Sequence, residues 1–527
     1  MRLVVRQTRP EGITKMRVFF LIVLVLTTSF VHAEVRLPDV IGSSMVLQQK
    51  QVVPIWGSAE PGEAVTVTFG KIKKTVVADA SGKWRVDLGK LSANSLPQTM
   101  TIAAKNTIVL KDILVGEVWL VAGQSNMQRL LRETDNGDAV QASANHPNIR
   151  LFNVSREVAF KHRTAKLAEW AACTPESVKE FSAAGYYFGV DLEKELKVPI
   201  GLINSSFGGS QAEAWTPVEY LLANPDLKAT VERTKIWDDE RPRVRVEYDA
   251  AIKKWREDSD KQRASGVRPS PSPAVPDSLR EYRVASSIYD GMIAPLIPFA
   301  IKGAIWYQGE SNEARAEQYN ILLPTMIRSW RERWGAGNFP FGIVQLPNYR
   351  RIADEPQESA WSFIREAQRR TTLSTPNTGL IVTIDIGEAG DIHPKNKLDV
   401  GRRMFRWAMR EAYGRSLSYS PVLRKTEVKN AKMLLTFDNA GTGLKIANGD
   451  KLSEFAIAGA DKKWVWAEAK IVGKNKVAVW SDAVPAPVAV RYAFNSNPKH
   501  PNLTNDSGVP ASPFRTDSWP DPTAGKR

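Results

Sequence analysis

Residues 118–127 read Val118-Trp119-Leu120-Val121-Ala122-Gly123-Gln124-Ser125-Asn126-Met127. Five apolar residues without alternation, closed by a glycine, predict a strand buried on both faces, as in a parallel sheet. A serine just past that strand end points out of the sheet near the start of the next helix, where backbone N–H groups can stabilise an oxyanion. The same pentapeptide, Gly123 to Met127, is equally compatible with a plain helix N-cap. It is not the G-x-S-x-G elbow, because Met127 stands where the second glycine would be.

Further apolar runs of the same kind occur at Ile200 to Ile203, Ala304 to Tyr307, Phe341 to Leu346 and Leu380 to Ile386. Between them lie helical spacings: Phe181, Gly185, Phe188 and Leu192, then Tyr319, Leu322, Leu323, Met326, Ile327 and Trp330. Strands alternating with helices predict an open, parallel α/β sheet with helices on both sides.

The flanks have a different texture. Val65, Val67 and Phe69 alternate with Thr66 and Thr68, and Trp84, Val86 and Leu88 alternate with Arg85 and Asp87, with turns at Pro61-Gly62 and Ser81-Gly82. Period-two alternation of this kind predicts antiparallel strands with one buried face. A β domain is therefore expected over 34–113, an α/β domain over 114–420, a second β domain over 421–515 and a tail over 516–527. The second β domain is marked by Met433-Leu434-Leu435, Trp464-Val465-Trp466 and Val477 to Trp480. Residues 222–283 are rich in charge and end in Arg268-Pro269-Ser270-Pro271-Ser272-Pro273, which predicts a charged helical insertion followed by a flexible linker. No tandem repeat is present.

The chain has 527 residues, of which 43% are hydrophobic and 24% charged, enough for a sizeable core without staples. The single cysteine, Cys173, excludes an intrachain disulfide and a cysteine-based metal site. A net charge of +15 raises a nucleic-acid partner, but the Lys and Arg residues are scattered and no nucleic-acid-binding motif accompanies them. At the N-terminus, Arg2, Arg6, Arg9, Lys15 and Arg17 precede the apolar run Val18 to Leu26, and Ala33 precedes Glu34. This pattern predicts a cleaved secretory signal over 1–33, with Met1 or Met16 as the start, and export to the periplasm or outside the cell. The apolar core is shorter than the roughly 20 residues that span a bilayer, so stable membrane insertion is not expected.

Ligands of parallel α/β sheets bind beyond the carboxyl ends of the strands. Besides the Ser125 segment, three polar clusters follow predicted strands. Asn204-Ser205-Ser206-Phe207-Gly208-Gly209-Ser210 carries paired glycines that allow a close backbone approach, or a tight turn. Tyr307-Gln308-Gly309-Glu310-Ser311-Asn312 offers the neutral donors Gln308 and Asn312, suited to an oxyanion or to loop backbone. Asp385-Ile386-Gly387-Glu388-Ala389-Gly390-Asp391-Ile392-His393-Pro394 brings a histidine beside carboxylates. Four histidines lie beyond residue 33 (His146, His162, His393 and His500), and only His393 combines a strand-end loop with nearby carboxylates. A serine hydroxyl is a weak nucleophile that needs a base, and the base needs a group to hold its tautomer.

Gly116-Glu117-Val118-Trp119-Leu120 running into Gly123 to Met127, then Ile305 to Asn312, then Asp391-Ile392-His393-Pro394, resemble the sialate O-acetylesterase family of the SGNH-hydrolase superfamily. The resemblance extends over nearly all of the chain after residue 33, from Met45-Val46-Leu47-Gln48 to Pro510-Ala511-Ser512-Pro513-Phe514-Arg515-Thr516-Asp517. It implies an SGNH-type three-layer α/β/α catalytic domain, flanked by sandwich-like β domains, that removes O-acetyl groups from sugars. Carried over by motif, Ser125 is the nucleophile and His393 the base. The N–H groups of Ser125 and of Gly208 or Gly209, with the Gln308 side chain, form the oxyanion hole. The superfamily places its acid three residues before the histidine, where this chain has Gly390. Asp391, two before, is assigned the role, with Asp385 in reserve, while Glu310 and Asn312 stand as further site candidates. No metal or organic cofactor is implied.

The leading expectation is thus an exported serine esterase acting on O-acetylated sialate. An acetyl xylan or other polysaccharide esterase using the same residues is the alternative. A sugar-binding protein with an inactive site is the alternative of a different class.

Overall fold

The strand Thr107–Gly123 organises the molecule, in a computed structural model that describes residues 34–158 and 168–527. The expected signal segment and His162 lie outside the described residues. The first half of this strand pairs antiparallel with Asn94–Ala103 and, through Leu114 to Gly116, parallel with Val46–Gln48. Its second half is the centre of a sheet ordered Thr378–Ile381, Phe341–Val344, Gly303–Tyr307, Thr107–Gly123, Ile200–Ser206, His146–Asn153 and Trp170–Cys173. All neighbours in this row are parallel except the last pair. The fold is therefore mixed α/β, with a central mixed sheet continuous with N-terminal β structure. The strand runs unbroken across positions 113 and 114.

The apolar runs form the sheet because both of its faces are covered. Every residue from Ile113 to Gly123, from Ile200 to Ser206 and from Gly303 to Tyr307 is buried. The helix Ala183–Leu196 packs on the helix Lys397–Glu411, and Ala316–Trp334 packs on Ala360–Ser374. Trp119, Trp215, Trp306, Trp330, Trp361 and Trp407 are all fully buried, so these rings are core rather than sugar platforms.

The last apolar run departs from the sequence pattern. The run Leu380 to Ile386 forms a strand only to Ile381, after which the chain turns. The turn is held by Ser420 Oγ accepting the Val382 N–H and by the pairing of Asp385 with Arg403. The charged segment forms a single 40-residue helix, Pro225–Ala264, whose N-cap is the Asn224 side chain accepting from the Asp226 N–H. No regular element spans residues 265–276 after it. Among the described residues no helix is long and apolar enough to cross a membrane. The C-terminal β structure comprises three small sheets, one of them built from Val422–Lys429, Lys432–Asp438, Glu468–Gly473 and Lys476–Trp480.

Candidate active site

Register brings three of the four polar clusters together. Gly123 lies opposite Ser206 on one side and Tyr307 on the other, so the loops that follow these three strands leave the sheet side by side. Phe207 N–H donates to Gly123 O (2.9 Å) and Gln124 N–H donates to Tyr307 O (3.0 Å), which fastens the three loops at their roots. Gly123 is required here. Its φ is +143°, and a Cβ would sit 2.1 Å from Tyr307 O.

Ser125 opens a four-residue helix, Ser125–Gln128, immediately beyond this junction. Its Oγ lies 2.8 Å from Nε2 of His393. The His393 loop closes on itself: Asp391 Oδ1 accepts the His393 backbone N–H (2.8 Å), and Glu388 Oε1 accepts the Lys395 N–H (2.7 Å). His393 Nδ1 lies 3.7 Å from the same Asp391 Oδ1, so this carboxylate faces the imidazole while bonding to the loop backbone. Asp385 is elsewhere, in a two-oxygen pairing with Arg403 (2.6 and 2.7 Å). Burial and the nearby Arg129 and Lys397 cations hold the His393 imidazole below its usual pKa, against the opposing charges of Asp391 and Glu133.

The expected donors divide into free and occupied groups. Gly208 sits against the nucleophile, since a Cβ there would be 3.4 Å from Ser125 Cβ, and its N–H donates to Gln128 Oε1 (2.8 Å). The N–H groups of Ser125 and Gly209 have no acceptor among the described residues. Gly209 has φ +75° and packs against the Tyr282 ring. Gln308 is fully buried: its Nε2 donates to Asn312 Oδ1 (2.7 Å) and Ser210 O (3.2 Å), and its Oε1 accepts from Tyr319 Oη (2.8 Å). Asn312 in turn donates to Glu213 Oε2 (2.8 Å) and accepts the Ala212 N–H (2.9 Å). Gln308 and Asn312 thus join the second and third loops.

Glu310 accepts from Asn126 Nδ2 at 2.6 Å, and burial raises its pKa. Sequence reasoning assigns no individual role to Asn126, Gln128, Arg129 or Lys397, all of which lie at this site. Only Lys397 carried a visible signal. It is the first residue of the helix Lys397–Glu411, where the positive end of the helix dipole disfavours a cation.

A serine hydroxyl 2.8 Å from a half-buried imidazole of lowered pKa, with its own backbone N–H free among the described residues, is equipped for attack on an ester carbonyl. The comparisons agree with that chemistry. The model of the carbohydrate esterase family described as sialic acid-specific acetylesterase matches residues 115–266 and 276–410, more than half of the chain. The mouse sialate O-acetylesterase is 29% identical over 91% of this chain and 94% of its own length. The human sialate O-acetylesterase is 28% identical over 91% and 92%. A crystal structure of a carbohydrate acetylesterase from Xanthomonas citri superposes with a TM-score of 0.76 at 36% identity, covering 92% of this chain and all of that one. The chain is a carboxylic ester hydrolase and belongs to the sialic acid-specific acetylesterase family of carbohydrate esterases.

Proposed function

We propose that this protein is an exported serine esterase that removes O-acetyl groups from sialate-bearing glycans through an acetyl-enzyme. The observation that carries the mechanism is the 2.8 Å contact between Ser125 Oγ and His393 Nε2. With Nδ1 protonated, Nε2 takes the Ser125 proton as Oγ attacks the acetyl carbonyl. The N–H groups of Ser125 and Gly209 face the developing oxyanion, and Gly208 or Gln308 joins them if Gln128, Ser210 or Asn312 releases its donor. His393 then passes the proton to the departing sugar hydroxyl. Water, deprotonated by the same nitrogen, releases acetate and restores Ser125. Asp391 stabilises the imidazolium by its charge.

The parallel strand order and the packed helix pairs support an SGNH-type three-layer catalytic domain over 114–420, with β domains over 34–113 and 421–515. The basic flank and short apolar run before Glu34 support export. Mass spectrometry of the exported protein should find its first residue at or near Glu34, and a membrane-bound product retaining Met1 or Met16 would overturn that part.

The family description and the vertebrate relatives favour sialate as substrate. The Xanthomonas citri structure is that of a carbohydrate acetylesterase, a wider class that also takes in the second reading, an acetylated xylan or other polysaccharide. Acetate release from O-acetylated sialosides and from acetylated xylo-oligosaccharides, measured side by side, decides between them. Activity confined to the xylo-oligosaccharides would replace the first reading with the second.

A further inference from the structure

Both carbonyls that flank His393 are held from the side. Asn126 Nδ2 donates to Ile392 O (2.9 Å) and to Glu310 Oε1 (2.6 Å). Lys397 Nζ donates to Pro394 O (2.6 Å) and to Asn126 Oδ1 (2.9 Å). Lys397 is fully buried, and its ammonium sits 5.8 Å from the centre of the Tyr307 ring. A buried ammonium forfeits its hydration, and a lysine at a helix N-terminus opposes the dipole. Two adverse placements at one residue call for a compensating role. The helix itself needs no help from Lys397, because Asn396 caps it by accepting the Asp399 N–H.

The imidazole, for its part, is only loosely held from Asp391. The 3.7 Å separation is too long for a hydrogen bond, and the oxygen concerned already accepts the His393 backbone N–H. The position of the ring is therefore set mainly by where its backbone lies. That backbone is fixed to the residue after the nucleophile through Asn126, and to the next helix through Lys397.

We propose that Lys397 is a positioning residue for His393, acting with Asn126 and Glu310 as a clamp that fixes the base loop against the nucleophile loop. The proposal rests on the reading of Ser125 and His393 as nucleophile and base. The clamp is charge-balanced across Asn126, with the Lys397 ammonium on one end of the amide and the Glu310 carboxylate on the other. Burial, assisted by Arg129 and opposed by Glu310, Glu388 and Asp391, brings the Lys397 pKa down to about 7. The same ammonium is one of the cations that lower the His393 pKa. Removing it therefore both frees the loop and raises the imidazole pKa.

The test uses the full mature chain with Lys397→Met and Lys397→Arg, following kcat, KM and the pH profile on p-nitrophenyl acetate, with thermal unfolding in parallel. Lys397→Met is expected to lower kcat by about 10²-fold, the scale of a catalytic group displaced by about 1 Å, with KM unchanged. Its acid limb should move to higher pH. Lys397→Arg, which keeps a charged donor, should recover most of kcat and the original acid limb. A wild-type kcat in Lys397→Met overturns the proposal, as does a loss of kcat in both variants with an unmoved acid limb. If Lys397→Met does not fold, Lys397→Leu, which likewise removes both the charge and the donor, is judged by the same criteria. Ser125→Ala separates the two levels. Activity retained there sinks the nucleophile assignment, whereas an inactive Ser125→Ala beside a fully active Lys397→Met sinks only the clamp.

Discussion

His393 Nε2 stands 2.8 Å from Ser125 Oγ although 268 residues separate them in the chain. The contact joins the loop after the central strand to the loop after the sheet's edge strand, and nothing local to either loop creates it. Ser125→Ala should accordingly reduce turnover by the order of 10⁴-fold to 10⁶-fold while leaving the thermal midpoint close to wild type. Turnover of a chromogenic acetate ester and a melting curve on the same preparation check both halves. Substantial residual activity would reassign the nucleophile.

Asp391 and Asp385 should separate cleanly. Asp391 lies 3.7 Å from His393 Nδ1, so Asp391→Asn removes a charge that stabilises the imidazolium but no direct side-chain hydrogen bond. The expected fall in kcat is about 10²-fold, smaller than the roughly 10⁴-fold seen where an aspartate bonds the imidazole directly. Asp385→Asn breaks a pairing with Arg403 and should leave kcat near normal, at a stability cost of about 1 kcal/mol or less. A crippled Asp385→Asn beside a normal Asp391→Asn would transfer the role.

Gln308→Ala is expected to show first in stability. Its amide links Ser210 O, Asn312 Oδ1 and Tyr319 Oη in a fully buried network, and leaving these groups unpaired should cost about 2–4 kcal/mol. In the folded fraction kcat should fall by less than the roughly 10²-fold that marks a lost oxyanion donor. A larger loss with an unchanged melting curve would mean that Gln308 turns toward the substrate during the reaction.

The pH dependence follows from the environment of His393. The base must be neutral, and burial together with Arg129 and Lys397 holds its pKa down, so the imidazole stays neutral to lower pH than a free one. kcat/KM should rise with pH through an inflection below about 6.5, and activity should be lost as pH falls through that depressed value. Arg129→Gln removes a cation near the ring and should move the inflection upward, although Glu133, 3.6 Å from Arg129, then presses in the same direction. An inflection at or above the free value in the wild type would contradict this environment.

The sequence by itself determined the alternation of buried strands and helices, because burial on two faces demands unbroken apolar runs such as Val118 to Ala122 and Ala304 to Tyr307. It also determined which polar clusters gather at the sheet's carboxyl edge, since residues directly after such strands must lie there.

What only the tertiary structure decided is which polar atoms meet. In sequence Asp391 is the first choice and Asp385 the reserve on spacing alone; Arg403, on the helix Lys397–Glu411, pairs with Asp385 and leaves Asp391 to face His393. Gln308 and Asn312 look like free donors in a motif, but buried polar groups must be satisfied, and their neighbours across the loops satisfy them. The clamp of Asn126, Glu310 and Lys397 spans positions 126, 310 and 397, and each of its hydrogen bonds except the one from Lys397 to Pro394 joins segments remote in the chain. Hydrogen bonding is short-ranged and directional, so such pairings exist only once the sheet has fixed the distances between its loops. Hydrophobic burial is non-directional and leaves its pattern along the chain itself.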